Sequence, residues 1–330
     1  MSAERDGRLG RVGFVGLGNM GMPMARRLAA AGYHVCGFDT SAEIMRTVAG
    51  LDGFSAAPGL TAVGNGASAV ILSLPDSDVV EHVLLGSGQP SGGRPAGGLL
   101  GSLPPGSMVI DMSSSDPVRT RELAARAEAS GVTLIDAPVS GGVAGARAGS
   151  LTVMVGGSEQ AFSTVRPMLE AIGSRVVRAG DVGAGHAVKA LNNLMSAAHL
   201  IVSSEALIAG RRFGLDPAVM LEIINGSSGR SGSTENKWPN YVLTEKYDAG
   251  FSIRLMVKDM KLAVAIERAT GTPAAVSEAA AAAWEAAASD LPPDVDHTEI
   301  ARWLARGSGG HGGRSAPHEM GGPGGSSPQE

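Results

Sequence analysis

The sequence predicts an α/β protein in two parts: a doubly wound, mostly parallel sheet over residues 11–180, then an all-α C-terminal domain over residues 181–306. Three observations lead there. Short apolar runs alternate with helical patterns through the first half, as βαβ units do. A glycine-rich turn joins the first run to the first helical pattern. Beyond Gly183 the short runs stop, and apolar residues recur at helical spacing instead.

In chain order, residues 11–15 read as a short buried strand, 20–31 as a helix with small residues facing the turn, and 33–38 as a second strand, together one βαβ unit. Apolar runs at 69–74, 108–111 and 132–136 extend the sheet, separated by helical stretches such as 119–129. Runs at 151–155 and 175–178 are expected to add strands of mixed orientation at one edge. The Gly/Pro/Ser-rich stretch 86–106 reads as a surface loop with a short helix at most, and no chemistry is assigned to it. Residues 187–213 keep helical spacing over roughly 40 Å of helix at the usual rise. Asp216 and Pro217 give an N-cap and a first-turn proline for a helix through Ile224. Further helices are expected at 258–269 and 273–288, and Asp296 with Glu299 resembles a capping box opening a last one through Leu304.

Composition bounds the function. With 330 residues, 43% of them hydrophobic, the chain can bury two cores. A formal charge of −5 without a basic run argues against a nucleic-acid partner. No apolar stretch has membrane-spanning length, and the polar first ten residues lack an apolar targeting core, so a soluble cytoplasmic protein is expected. The single cysteine, Cys36, sits in an apolar run and reads as a buried structural thiol in a reducing compartment. Aromatics are scarce, so packing must lean on Ala, Val, Leu and Met. Residues 1–10 read as a flexible N-terminus. Residues 307–330, mostly Gly, Ser and Pro, read as a disordered tail in which His311 and His318 are solvated. No His, Cys or carboxylate cluster has metal-ligand spacing, and no metal is expected.

Gly16-Leu17-Gly18-Asn19-Met20-Gly21 follows a strand and opens a helix, and Asp39 stands at the end of the next strand. In that setting the glycines form a Rossmann-type dinucleotide turn: Gly16 for the tight bend, Gly18 for close approach of a pyrophosphate, Gly21 for helix-to-strand packing. Asp39 is placed to accept from the ribose hydroxyls and would repel a 2′-phosphate. Thr40 and Ser41 follow it rather than an arginine, which favours NAD over NADP, although Arg46 is near enough in sequence to swing in.

Lys189 and Asn193 lie one helical turn apart, so ammonium and amide project from one face and reach the same substrate atom. His186, one turn earlier, is set aside as proton carrier and read as a surface or capping residue, since it lacks such an amide partner. Ser140-Gly141-Gly142 is either a small anion nest or a flexible loop of small residues. Ser113 to Ser115 are equally a ligand contact or an ordinary N-cap cluster for the helix at Pro117, roles that can coexist. Lys258 is either a functional or a solvated helix residue.

The segment from Gly16 to Met24 resembles the N-terminal signature of the β-hydroxyacid dehydrogenases, a family that includes 3-hydroxyisobutyrate dehydrogenase and tartronate semialdehyde reductase. Asp111-Met112-Ser113-Ser114-Ser115-Asp116-Pro117, Asp136-Ala137-Pro138-Val139-Ser140-Gly141-Gly142 and the stretch from Gly185 to Asn193 resemble three further segments of that family, in the same order. The resemblance implies Lys189 as the catalytic residue assisted by Asn193, with Ser140, Gly141 and Gly142 on the substrate carboxylate. It implies a cofactor site formed by Gly16, Gly18, Asn19, Met20, Gly21, Asp39, Leu74, Pro75 and Ser114, and a Lys258-Asp259 motif reaching the cleft from the helical domain. Two stretches depart from the pattern: the glycine-rich loop 86–101, and the segment 227–233 where substrate choice is expected to be decided. There Arg230 either binds a second acidic group or sits in solvent.

Together these readings predict hydride transfer between NAD and a small 3-hydroxy acid, with Lys189 as general acid/base once burial lowers its pKa from about 10.4. Rival readings are an imine reductase, a 6-phosphogluconate dehydrogenase-like enzyme, or an inactive dinucleotide-binding interaction module. Lys189 with Asn193 argues against the first, the short helical region against the second, and the presence of Lys189 against the third. The long apolar helix is expected to be buried between subunits, in a homodimer or homotetramer.

Overall fold

The expected alternation of strands and helices is present in the computed structural model, which describes residues 10–86 and 98–307. The expectations for residues 1–9, for the middle of the 86–106 loop and for the tail with His311 and His318 lie outside the described residues. The first half runs β1 (Arg11–Val15), α1 (Gly21–Ala30), β2 (His34–Phe38), α2 (Ala42–Val48), β3 (Phe54–Ala56), α3 (Leu60–Gly64), β4 (Ala69–Leu72), α4 (Ser77–Leu85) and α5 (Leu99–Ser102). It continues with β5 (Met108–Asp111), α6 (Pro117–Ala129), β6 (Thr133–Asp136), β7 (Val139–Ser140), α7 (Gly142–Ala148), β8 (Thr152–Gly156), α8 (Glu159–Glu170) and β9 (Arg175–Gly180).

Strands β3, β2, β1, β4, β5 and β6 lie side by side in that order, all parallel. Beyond them β8 runs antiparallel to β6 and β7, and β9 runs parallel to β8, giving the mixed edge that the sequence implies. Successive side chains alternate between two cores: Val12, Phe14, Ile71 and Ile110 enter one, Val15, Val70, Leu72 and Val109 the other. Because both faces are covered, β4 is a continuous apolar run, and β5 is one up to the buried Asp111 at its C-terminal end. Strand order reverses between β1 and β4, which opens a crevice at their C-terminal ends.

The second half is helical: α9 (Ala184–Phe213), α10 (Pro217–Asn225), a π-helix (Ser233–Val242), α11 (Ile253–Ala269), α12 (Ala275–Asp290) and α13 (Ile300–Arg306). One side of α9 packs on α11, α12 and α13 around Leu200, Met260 and the fully buried Trp284. Alanines along α12 admit close approach, and Trp284 donates its ring N–H to the Ala197 carbonyl at 3.3 Å. Among the described residues no helix is long and apolar enough to cross a membrane.

Several boundaries differ from expectation for local reasons. Helix α11 opens at Ile253 rather than 258 because the Ser252 hydroxyl accepts from the Leu255 amide, so the Lys258 region is mid-helix. Asp296 does not form a capping box with Glu299. It caps a 3-10 turn (His297–Glu299) through the Thr298 amide and hydroxyl, while Glu299 pairs with Arg302 at 2.9 Å. The short strands β3 and β7 and the π-helix carry too few periodic residues to be read from the sequence.

One contact fixes the junction of the halves. The Asp136 carboxylate, fully buried at the end of β6, accepts the Gly183 amide at 2.6 Å and the His186 amide at 2.8 Å. It thereby satisfies orphan donors at the start of α9 and places negative charge at the helix N-terminus. Asp136→Ala strands two buried N–H groups, each costing about 1–3 kcal/mol. Urea unfolding should then show a stability loss of about 2–4 kcal/mol; an unchanged midpoint would contradict the clasp.

Candidate active site

The loops that follow β1, β2, β4 and β5 converge on the crevice. Gly16 adopts φ +88°, and a Cβ there would run into the Ser73 carbonyl; a Cβ on Gly21 would strike the Gly16 carbonyl. At Gly18 a Cβ would meet nothing within 4 Å, so the middle glycine faces open space of the kind a pyrophosphate needs. Asp39 lies beside this turn. Its carboxylate accepts the Leu17 amide at 2.7 Å and the Ser41 amide at 2.8 Å, which fixes it where a ribose would sit. Arg46, on α2, is exposed and makes no ion pair among the described residues. Cys36 is buried, as expected, and meets the Arg11 guanidinium at 2.8 Å.

The loops after β4 and β5 are tied together, since the Ser113 hydroxyl accepts the Leu74 amide at 2.9 Å. Asp111 holds the serine cluster by accepting the Ser113 amide and the Ser115 hydroxyl, each at 3.0 Å. The N-cap of α6 is Asp116, accepting from Val118 at 2.8 Å, rather than one of the three serines. Onto this platform α11 delivers Lys258, whose Nζ donates to the carbonyls of Pro75, at 3.2 Å, and of Ser114. Lys258 therefore joins the helical domain to the crevice and is not a solvated residue.

Next to it lies Asp259, almost fully buried, with one oxygen 3.3 Å from Lys258 Nζ and the other accepting the Asn193 side-chain amide at 2.6 Å. Asn193 is thus oriented by a carboxylate, a role for Asp259 that the sequence suggested only through the Lys-Asp pair. Lys189 is half-buried on the same face of α9, one turn earlier, with no hydrogen bond among the described residues. Crowding by protein holds its pKa below the ordinary lysine value; Asp259 opposes that shift and Lys258 adds to it. Ser140 ends β7 and Gly142 opens α7, where Gly142 lies against the Ala249 carbonyl; the Ser140 hydroxyl has no hydrogen-bond partner among the described residues.

His186 corrects an expectation. It is neither a surface nor a capping side chain but is 1% exposed, with Nε2 3.0 Å from the Ser113 carbonyl and Nδ1 2.9 Å from the Thr120 hydroxyl. A carbonyl only accepts, so Nε2 carries hydrogen. With both nitrogens taken, the ring braces α9 against the β5 loop. The Arg230 side chain is 63% exposed and lies 3.7 Å from Glu235.

Sequence reasoning missed Lys237. It rises from the π-helix and donates to Ser196 Oγ at 2.8 Å, and Ser196 lies on the Lys189 face of α9, two turns on. Burial pulls its pKa down to about 8, Asp296 opposes the shift and Lys189 reinforces it. Only its position within a serine- and asparagine-rich stretch with Trp238 and Pro239 could have marked it, which is no signal of a ligand. No group of three or more His, Cys, Asp or Glu among the described residues is placed to hold a metal ion.

Comparison with known proteins agrees with this layout. The family model for the NAD binding domain of 6-phosphogluconate dehydrogenase matches residues 11–180, and that for the NAD-binding of NADP-dependent 3-hydroxyisobutyrate dehydrogenase matches 183–304. The chain is 39% identical to 2-(hydroxymethyl)glutarate dehydrogenase of Eubacterium barkeri over 77% of its own length and 81% of that protein's. It is 40% identical to 3-hydroxyisobutyrate dehydrogenase of Pseudomonas aeruginosa, covering 77% of this chain and 84% of the relative. A solved Mycobacterium tuberculosis 3-hydroxyisobutyrate dehydrogenase with L-serine superposes with a TM-score of 0.81 at 31% identity, over 90% of this chain and 99% of that one. A dinucleotide turn at the sheet's reversal point, and a lysine and amide one turn apart on the helix that leaves it, occur in a chain matched along both halves: it belongs to the β-hydroxyacid dehydrogenases, oxidoreductases that use a nicotinamide dinucleotide.

Proposed function

We propose that the chain oxidises a small 3-hydroxy acid with NAD, using Lys189 as general acid/base. The observation that carries this is the state of Lys189: half-buried at the crevice, without a hydrogen bond among the described residues, held below its ordinary pKa, and one turn from an amide that Asp259 orients. Gly16, Gly18, Asn19, Met20 and Gly21 would hold the pyrophosphate, Asp39 the adenosine ribose, and Leu74, Pro75 and Ser114 the nicotinamide end, with Lys258 bracing those last loops. When bound, that cofactor supplies the hydride acceptor. Ser140, Gly141 and Gly142 hold the substrate carboxylate, and Asn193 orients the hydroxyl. Neutral Lys189 takes the hydroxyl proton as the carbonyl forms, and in the reverse direction its ammonium returns the proton and stabilises the alkoxide.

2-(Hydroxymethyl)glutarate, 3-hydroxyisobutyrate and L-serine, the compounds named with the relatives above, share a hydroxymethyl group on the carbon that carries the carboxylate. That unit is the substrate core we propose here. Turnover of such acids, followed by nicotinamide absorbance with each cofactor, tests the reading directly.

Lys189→Ala should lower kcat by roughly 10²-fold or more while NADH still binds. In the wild type, oxidation should rise with pH as Lys189 deprotonates, with a midpoint below the ordinary lysine value of 10.5. Asp259→Asn removes a charge that raises this pKa, so the midpoint should move to still lower pH. Near-normal turnover in Lys189→Ala would end the assignment.

Cofactor choice rests on Asp39, with Arg46 as the only nearby cation on α2. The ratio of kcat/KM for NAD over NADP should exceed one and should narrow in Asp39→Asn, as repulsion of a 2′-phosphate is removed. Preference for NADP in the unmodified enzyme would refute this.

Assembly is part of the same reading. Val188, Met195 and Val202, spaced seven apart on α9, are exposed by 43%, 60% and 58%, an apolar stripe opposite the packed face. A second copy covers such a stripe best. Light scattering at micromolar concentration should give at least a dimer, weakened by Met195→Asp with Val202→Asp; a fully active wild-type monomer would contradict it.

A further inference from the structure

Among the described residues, Lys237 is a cation beside the Lys189 face of α9 that the chemistry above leaves unused. Lys258 is spent on two backbone carbonyls, and Asp259 on Asn193 and Lys258. Asp296, the carboxylate nearest in effect to Lys237, is already saturated by the amides of Gly250, Phe251 and Thr298 and by the Thr298 hydroxyl. Lys237 Nζ holds only Ser196 Oγ, at 2.8 Å, and has no carboxylate within ion-pair distance among the described residues. A half-buried ammonium with one neutral partner among the described residues keeps two donors that an anion can accept.

Position says which anion. Lys189, Asn193 and Ser196 follow one another along a single face of α9, so Ser196 marks a point roughly 10 Å along the helix from Lys189 at the usual rise. The loop whose amides Asp296 holds, Gly250 and Phe251, also borders Gly142 of the carboxylate nest, through the neighbouring Ala249. Lys237 thus stands beside the Lys189 face of α9, two turns from Lys189, and close to the loop that neighbours Gly142. Two hydrogen bonds of about 2.8 Å and a chain of four or five atoms match the roughly 10 Å of helix rise between Lys189 and Ser196.

We propose that Lys237 selects 3-hydroxy acids whose second substituent on the carboxylate-bearing carbon ends in another carboxylate, binding that distal group. The proposal rests on the reading that Lys189 and Ser140 to Gly142 hold a 3-hydroxy acid, and specifies its side chain. An ammonium substituent, as in L-serine, meets repulsion from the same lysine, and a methyl group gains nothing from it.

The test compares kcat/KM for 2-(hydroxymethyl)glutarate with that for 3-hydroxyisobutyrate in the wild type, Lys237→Met and Lys237→Arg. A charge-assisted hydrogen bond of about 1.5–3 kcal/mol corresponds to a preference of roughly tenfold to a hundredfold for the dianion. In Lys237→Met that ratio should fall at least tenfold, through KM rather than kcat, and Lys237→Arg should keep most of it. In the wild type the preference should also fade as pH rises through about 8, where the ammonium buried beside Lys189, Asp296 and His297 is lost, and Lys237→Arg should not show this decay. No dianion preference in the wild type, or equal losses for both acids in Lys237→Met, overturns the proposal. Should neither acid be oxidised, the parent reading falls, and calorimetric binding of the two acids to the NADH-loaded enzyme and to Lys237→Met still decides the anion contact: equal affinities overturn it, a Lys237-dependent difference sustains it.

Discussion

The geometry of this enzyme hangs on the buried carboxylate of Asp136. It ends β6, and through the amides of Gly183 and His186 it sets where α9 begins and in which direction it leaves the sheet. Every side chain assigned to substrate chemistry on α9 inherits its position from that first turn. Buried charge is costly, and desolvation does raise the Asp136 pKa, with His186 and the two amides working against the shift. A neutral side chain would offer less to the helix N-terminus, where unpaired amides and the aligned backbone dipoles favour an anion. His186 completes the brace by filling the space between Asp111 and Asp136, 3.8 and 3.9 Å from them.

A second constraint acts from the helical side. Lys258 and Asp259 are adjacent in sequence yet point to different partners, one to the backbone of the cofactor loops and one to Asn193. The same dipeptide therefore ties the helical half to the loops after β4 and β5 and fixes the Asn193 amide. It also shapes the field at Lys189, because Asp259 favours the ammonium there and Lys258 disfavours it. With these two charges opposed, desolvation decides the outcome, and a lysine whose pKa is lowered by burial rather than by one neighbour keeps that property when a substrate expels more water.

Much of this was legible in the sequence, for identifiable reasons. The glycine turn with Asp39 reads clearly because Gly16 and Gly21 answer backbone demands, as the crowding at both confirms. Lys189 with Asn193 reads clearly because helical spacing alone puts them on one face. His186 was misread because its meaning comes from Ser113, Thr120, Asp111 and Asp136, which are distant in sequence and meet only when α9 docks on the sheet. Lys237 was invisible for a similar reason: a lysine in a polar stretch looks solvated until the π-helix lays it against Ser196. The capping box at Asp296 failed because a competing set of donors, the amides of Gly250 and Phe251, claimed one of its oxygens.

The two clasps between the domains are unequal. Asp136 is fully buried and its bonds are to backbone amides of a helix that continues for thirty residues, so breaking them exposes a charge and unpins a whole element. Lys258 is 24% exposed, and water can take over from the carbonyls of Pro75 and Ser114 as they separate. Relative movement of the halves therefore breaks the Lys258 contacts before it disturbs Asp136. Separation there frees the loops after β4 and β5, while the start of α9, and with it Lys189, stays anchored to the sheet by Asp136.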